Sequence, residues 1–163
     1  MKKTLFAFLT GIMIIPMLVS CGSAGPDRVS ALVSLEGKPK GMIVKYKAPI
    51  DKNSVDKGTY TIRGQEVATV FVSDVNPFSK EDAPLVKTDN SLKGKGGRYA
   101  VILLKNDPSV AAPTGVNAKA IDIAQIPKVD IRVKQVTDIK TLEGKTVKAW
   151  KKPLKADEQF PMR

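Results

Sequence analysis

Short runs of β-prone residues, separated by turn signals, recur along this chain from residue 29 onward. The run 67–73 is dense in β-branched side chains, and 99–104 is the most apolar run beyond the first 21 residues. The run 129–136 alternates apolar and polar residues, as a half-buried strand does. No window of helical length beyond residue 20 carries an apolar stripe at i, i+3, i+4 and i+7. The pattern therefore predicts an all-β chain.

The spacing of these runs indicates one immunoglobulin-like β-sandwich of about seven to eight strands, over residues 29–150. No cysteine pair is present to join the two sheets, so the sandwich must be held by apolar packing. The predicted strands are 29–35, 42–47, 60–62, 67–73, 99–104, 118–123, 129–136 and 145–150. The predicted core residues are Val33, Ile43, Tyr60, Val70, Val101, Leu103, Ile121 and Val133. Residues 151–163 are predicted to be a polar C-terminal tail.

The N-terminal segment has the order of an export signal. Lys2 and Lys3 precede an apolar stretch that is too short for a membrane span, which needs about 20 apolar residues. Leu18-Val19-Ser20-Cys21 follows and resembles the lipobox of bacterial lipoproteins. That resemblance implies cleavage before Cys21 and a lipid on its sulfur. Residues 1–20 are then a signal peptide, and 21–28 a lipidated tether.

The anchor implies a cell-envelope protein attached to a membrane through its N-terminal lipid. Gly22 follows Cys21, and the absence of Asp there favours the outer membrane over the inner, with the periplasmic or surface face left open. The formal charge is +11, but arginine is scarce and aromatic residues make up only 6%. Nucleic-acid binding proteins favour Arg and stacking aromatics, so no nucleic-acid partner is predicted. The lysines serve solubility, or attract anionic headgroups or glycans.

The residues available for chemistry exclude several classes of site. The chain contains no histidine and one cysteine, so neither a Ser-His-Asp triad nor a Cys/His metal site can be built from it. The G-x-S-x-G motif is absent, and the S-x-x-K match from Ser54 to Lys57 lacks its companion motifs. The Gly-rich segment 93–97 does not have the spacing of a phosphate loop. We predict a protein that is not an enzyme and needs no cofactor or metal.

Three stretches carry a more specific resemblance, namely 44–55, 58–67 and 97–104. They resemble the immunoglobulin-like N-terminal domain that precedes the α/β-hydrolase domain in secreted esterases of Bacteroidota, including feruloyl- and acetyl-esterase types. The similarity extends over roughly residues 29–160. The catalytic nucleophile, acid and histidine of those esterases have no counterpart here. The resemblance therefore implies an accessory module rather than an activity.

The first functional hypothesis is a lipid-anchored, non-catalytic module that binds an α/β-hydrolase esterase chain or a glycan. A long polar loop, 74–98, is the candidate binding surface, because such loops on a rigid sandwich often bind ligands. One alternative is a remnant or subunit of a carbohydrate (feruloyl or acetyl) esterase, and another is a purely structural envelope lipoprotein. The candidate site residues are Cys21 for the lipid and Phe78, Lys93, Lys95, Arg98 and Trp150 for binding. Trp150 is alternatively a core residue.

Overall fold

The computed structural model describes residues 24–78, 94–105 and 126–162 of the chain. Within these ranges the backbone forms β-strands and one 3-10 turn, Lys52–Ser54, and no α-helix. The all-β sandwich expected from the sequence is confirmed. The strands are β1 Pro26–Val33, β2 Pro39–Asp51, β3 Tyr60–Ile62, β4 Val67–Ser73, β5 Gly96–Leu104, β6 Arg132–Gln135, β7 Ile139–Lys140, β8 Thr146–Val147, β9 Leu154–Lys155 and β10 Glu158–Pro161.

The larger sheet has five strands in the order β10-β1-β2-β5-β4. β1 and β2 form an antiparallel hairpin, and Gly37 lies in its turn at a φ of 75°, a conformation that favours glycine. β5 lies between β2 and β4 and is antiparallel to both. β10 pairs with β1 in parallel at one edge, so the last strand returns beside the first.

The smaller sheet has three strands in the order β3-β6-β9, and β7 and β8 form a separate two-stranded hairpin. The apolar side chains of the smaller sheet and of this hairpin pack against one face of the larger sheet. We call the resulting hydrophobic cluster the inner core. Each fully buried aliphatic side chain there stabilises the fold by about 1.5–3 kcal/mol. Its buried members are Val29, Ala31, Val33, Met42, Val44, Tyr46, Ile50, Tyr60, Ile62, Val72, Ala100, Ile102, Leu104, Ile126, Ile131, Val133, Ile139 and Val147.

The opposite face of the larger sheet is apolar as well. Leu32, Ile43, Val101 and Leu103 are buried there, at 0–4% exposure, and five half-buried side chains pack against them. We call these nine residues the outer cluster; the half-buried members are Phe71, Phe78, Tyr99, Phe160 and Met162. The uninterrupted apolar runs in β2 and β5 are typical of strands that are buried on both faces.

The predicted core is therefore divided between two sides of one sheet. Strand alternation sends neighbouring side chains to opposite faces, so residues predicted to pack together lie apart. Val33, Tyr60 and Val133 belong to the inner core, whereas Ile43, Val101 and Leu103 belong to the outer cluster. Val70 is only half-buried against the inner core, and Ile121 lies outside the described residues.

Most predicted strands occur close to their expected positions, and β3 and β4 have the predicted bounds. The run 118–123 lies outside the described residues. β9 and β10 lie within 151–163, so the sheets continue beyond the predicted end of the sandwich at residue 150. These two strands are short and polar, and pairing with β6 and β1 rather than intrinsic propensity holds them. Similarly, β1 begins at Pro26, within the predicted tether.

Candidate functional site

A hydrogen-bonded polar group is buried where β2, β3 and β6 meet the segment after β8. The Tyr46 hydroxyl donates to Gln135 Oε1 over 2.8 Å and lies 2.9 Å from the Tyr60 hydroxyl. Because Tyr46 has one proton and gives it to Gln135, Tyr60 must donate to Tyr46. Gln135 Nε2 donates to the carbonyl oxygens of Thr137, Val147 and Lys148, over 2.8, 3.3 and 3.4 Å. Gln135 thus joins β2 to the turn after β6 and to the end of β8.

Burial sets the protonation of the two tyrosines. Desolvation raises the pKa of Tyr46 far above its ordinary value of 10.0, and the neighbouring Tyr60 hydroxyl adds to the rise. Desolvation likewise raises the pKa of Tyr60, although its hydrogen bond with Tyr46 opposes the shift. Both hydroxyls are therefore neutral at physiological pH. Their role in this arrangement is to satisfy one another and Gln135 in the interior rather than to act as bases.

Trp150 packs against this group from the side of the inner core. Its ring centroid lies 6.5 Å from that of Tyr46 and 6.4 Å from that of Tyr60, with the latter pair edge to face. The indole Nε1 is buried and has no hydrogen-bond partner within the described residues. The side chain is half-buried, so the alternative assignment of Trp150 as a core residue agrees with its packing.

Phe78 lies on the other side of the larger sheet, in the outer cluster. Its backbone N–H donates to Asn76 Oδ1 over 3.1 Å, which holds the chain in a turn after β4. Tyr99 belongs to the same cluster, and the Lys45 ammonium lies 6.0 Å from its ring centroid, within reach of a cation–π contact. The structure therefore places Phe78 and Trp150 on opposite faces of the five-stranded sheet, in different clusters.

The remaining predicted residues are distributed along one end of β5 or lie outside the described ranges. Arg98 is exposed within β5, next to Tyr99. Lys95 is exposed just before β5, and its carbonyl accepts a hydrogen bond from the Lys52 N–H over 3.1 Å. Cys21 and Lys93 lie outside the described residues. Phe78, Arg98 and Lys95 all adjoin the β4–β5 end of the larger sheet, and their role in binding stays a prediction.

The sequence analysis predicted Ile43 and Val101 as core residues, but not that they form a second cluster with Phe78. Leu32, Ile43, Val101 and Phe160 reach the outer cluster from four different strands. The signal that could have found them is the continuous run of apolar residues in β2 and β5, because a strand with one face in water should alternate.

The part of the chain that the structure describes contains neither a cluster of metal ligands nor a membrane-spanning helix. No three His, Cys, Asp or Glu side chains within 24–78, 94–105 and 126–162 lie close enough together to hold a metal ion. In the same ranges, no helix has the length and apolar character needed to cross a bilayer.

Known proteins show which domain family this sandwich resembles. Residues 37–148 match the family model described as the esterase Ig-like N-terminal domain, which confirms the resemblance drawn from the sequence. A solved structure described as the crystal structure of a thermostable esterase matches with a TM-score of 0.55 and 18% identity, which shows a shared fold. The match covers 83% of this chain but 36% of that esterase, so this chain spans about a third of its length. No curated protein matches the sequence.

Proposed function

The chain belongs to the family of esterase immunoglobulin-like N-terminal domains, and we propose that it is a lipid-anchored, non-catalytic accessory module that holds an α/β-hydrolase esterase in the cell envelope. The observation that carries the proposal is the match over residues 37–148, strands β2 to β8 of the sandwich, to a family of N-terminal rather than catalytic domains. In this proposal, Cys21 supplies the attachment to the membrane. The outer cluster supplies the surface on which the catalytic partner packs.

The side-chain inventory supports a non-catalytic role. A Ser-His-Asp triad needs a histidine as its base, and the sequence has none. The buried hydroxyls of Tyr46 and Tyr60 are neutral and already hydrogen-bonded, so neither is poised to attack an ester. The residues of this sequence therefore do not supply such a site, and the proposal assigns ester hydrolysis to a catalytic partner.

The outer cluster has the character of a surface that packs against another domain. Its centre consists of buried aliphatic side chains, and half-buried aromatic rings, among them Phe71, Phe78 and Tyr99, flank that centre. Aromatic side chains are enriched at protein interfaces, where they bury a large area at a small cost in conformational entropy. A globular hydrolase domain with a complementary apolar patch is the partner class that the family relationship provides.

The anchor would hold this surface close to the membrane. Five peptide steps separate Cys21 from Pro26, where β1 begins, and an extended chain covers about 3.5 Å per residue. The sandwich would then begin within about 18 Å of the lipid-bearing residue. A catalytic partner bound to the outer cluster would be retained at the envelope and would not diffuse away.

The test is co-purification of esterase activity from cells that produce the protein. The full chain, carrying an affinity tag at its C-terminus, is purified from the envelope in non-ionic detergent, and hydrolysis of an aryl acetate is measured in the eluate. We expect activity with the wild type, and none after the chain is separated from its partner by size-exclusion chromatography. Phe71→Glu should reduce the co-purifying activity at least about tenfold, because it places a charge in the apolar contact.

The matched control is Thr61→Glu, which adds the same charge at an exposed position on the smaller sheet. It should retain the wild-type level of co-purifying activity. Thermal unfolding of each variant checks that the sandwich is intact. Tyr99→Glu places the same charge at a second residue of the outer cluster and should also reduce the co-purifying activity. Three results would each overturn the proposal: activity that stays with the isolated chain, equal activity for folded Phe71→Glu and Thr61→Glu, or no esterase in the wild-type eluate.

A further inference from the structure

The solvent-facing side of the smaller sheet collects basic side chains from distant parts of the sequence. Thr61 of β3 is the register partner of Lys134 of β6, and Ile62 is the partner of Val133. Continuing this antiparallel register by one residue places Arg63 opposite Arg132. The neighbours on either side in the sequence, such as Ile62 and Val133, are buried, so alternation directs the side chains of these polar residues outward.

A bulge between Trp150 and Leu154 places two more exposed lysines beside Lys134. The Trp150 N–H donates to the Gln135 carbonyl over 3.0 Å, and Leu154 is the register partner of Val133. The three residues 151–153 therefore stand opposite the single residue Lys134. Lys151 and Lys152 are both exposed in this bulge. We call Arg63, Arg132, Lys134, Lys151 and Lys152 the basic face.

The basic face is poorly neutralised. Arg132 pairs with Asp130, whose Oδ1 lies 3.7 Å from Arg132 Nε and also 3.4 Å from Lys155 Nζ. One carboxylate is thus shared between two cations. Arg63 and Lys134 make no ion pair with the described residues. Like charges placed opposite one another across a sheet are destabilising, so a bound anion would relieve this arrangement.

A groove of about 550 Å³ runs beside these cations. Three cations, Arg63, Arg132 and Lys134, line it together with one carboxylate, Asp130. Pro39, Pro153 and Val129 supply apolar surface. This volume lies within the range of small-molecule and oligosaccharide-sized sites, about 300–1,000 Å³. The combination suits a ligand that has apolar ring faces and carboxylates at intervals, because the planar guanidinium of Arg binds carboxylates in a bidentate manner.

The position of the groove favours a soluble polymer over a lipid surface. Pro39 is the register partner of Val33, at the end of β1 farthest from Pro26. Seven residue steps of about 3.3 Å separate these ends, a distance of about 23 Å. If the chain is anchored before Pro26, a step that rests on the proposed function, this end of the groove lies on the side of the sheet farther from the bilayer. We propose that this groove binds an anionic polysaccharide whose charges are uronate carboxylates.

The test is affinity electrophoresis of the full chain, purified in non-ionic detergent, through gels that contain polygalacturonate or, as the neutral control, dextran. At about 0.15 M salt, where long-range attraction between charges is screened, we expect retardation by polygalacturonate and none by dextran. The double variant Arg63→Gln/Lys134→Gln should raise the dissociation constant at least about tenfold, since each charged hydrogen bond to a carboxylate is lost.

The matched control is Lys47→Gln/Lys57→Gln, which removes the same charge from two exposed lysines elsewhere. It should change the dissociation constant less than about twofold. Equal weakening by the two double variants would overturn the proposal, as would no retardation of the wild type. Stronger binding to detergent micelles doped with phosphatidylglycerol than to polygalacturonate would assign the groove to lipid headgroups instead. None of these readouts depends on an esterase partner or on Cys21. Polysaccharide binding can therefore be shown wrong while the proposed function stands, and the reverse.

Discussion

Gly97→Ala is expected to destabilise the protein by about 3 kcal/mol, or to prevent folding altogether. Gly97 lies in β5 between β2 and the end of β4, where it pairs with Ile50. A Cβ atom added there would overlap the carbonyl group of Ser73 and the amide nitrogen of Asp74. These are backbone atoms, so no side-chain rotation can relieve the clash and β4 would have to separate from β5. Urea denaturation of the purified protein measures the change in the free energy of unfolding.

Gly58→Ala is the matched control for this substitution. Gly58 lies in the exposed turn before β3, and an added Cβ would come within 3.3 Å of one side-chain atom, Asp56 Oδ1. We expect that variant to stay within about 0.5 kcal/mol of the wild type, because a shift of a few tenths of an ångström by the Asp56 carboxylate relieves the contact and keeps its hydrogen bonds with Gly58 and Thr59. A Gly97→Ala protein that is as stable as Gly58→Ala would contradict the close approach of the β4 backbone to Gly97 of β5.

Gln135→Leu is expected to cost about 3 kcal/mol, although leucine is apolar and similar in size. The substitution removes the acceptor of the Tyr46 proton and the donor to three backbone carbonyl oxygens. Water cannot replace these partners easily, because Gln135 is fully buried at 0% exposure. Tyr46→Phe should cost less, about 1–2 kcal/mol, and Tyr60→Phe about 1 kcal/mol, since Tyr60 donates only to Tyr46.

The control for the polar group is Gln65→Leu, at an exposed glutamine whose side chain makes no hydrogen bond with the described residues. It should leave the denaturation midpoint nearly unchanged. The order of the three core variants, measured by urea denaturation at neutral pH, is the informative result. A Gln135→Leu protein as stable as Gln65→Leu would show that the buried tyrosines and Gln135 do not form the network described above.

The sequence was sufficient for the fold class and for strands whose composition agrees with their environment. β4 is rich in β-branched residues and follows a turn that contains Gly64 at a φ of 72°, so local signals mark its start. β9 and β10 could not be found in this way. β10 includes Glu158 and Pro161, which have low strand propensity, and it is held by pairing with β1, more than 120 residues earlier in the chain.

The residues of the candidate sites also divide into those that the sequence alone can suggest and those that only the fold brings together. Phe78 and Trp150 could be recognised as unusual aromatic residues, but only the fold shows that they pack on opposite faces of one sheet. Arg63 and Lys134 are 71 residues apart in the sequence and are brought together by the register of β3 and β6. A strand register is set by long-range pairing, and a single sequence does not encode it in any short motif.

Attachment of the sandwich to a membrane through Cys21 is the central step of the proposed function. The most direct measurement is metabolic labelling of the producing cells with palmitate, followed by purification of the protein and detection of the label. We expect label on the wild type and on the neighbouring control Ser23→Ala, and none on Cys21→Ala, because the sulfur of Cys21 is the proposed site of lipidation. Label that persists in Cys21→Ala, or a wild type that carries none, would contradict the account.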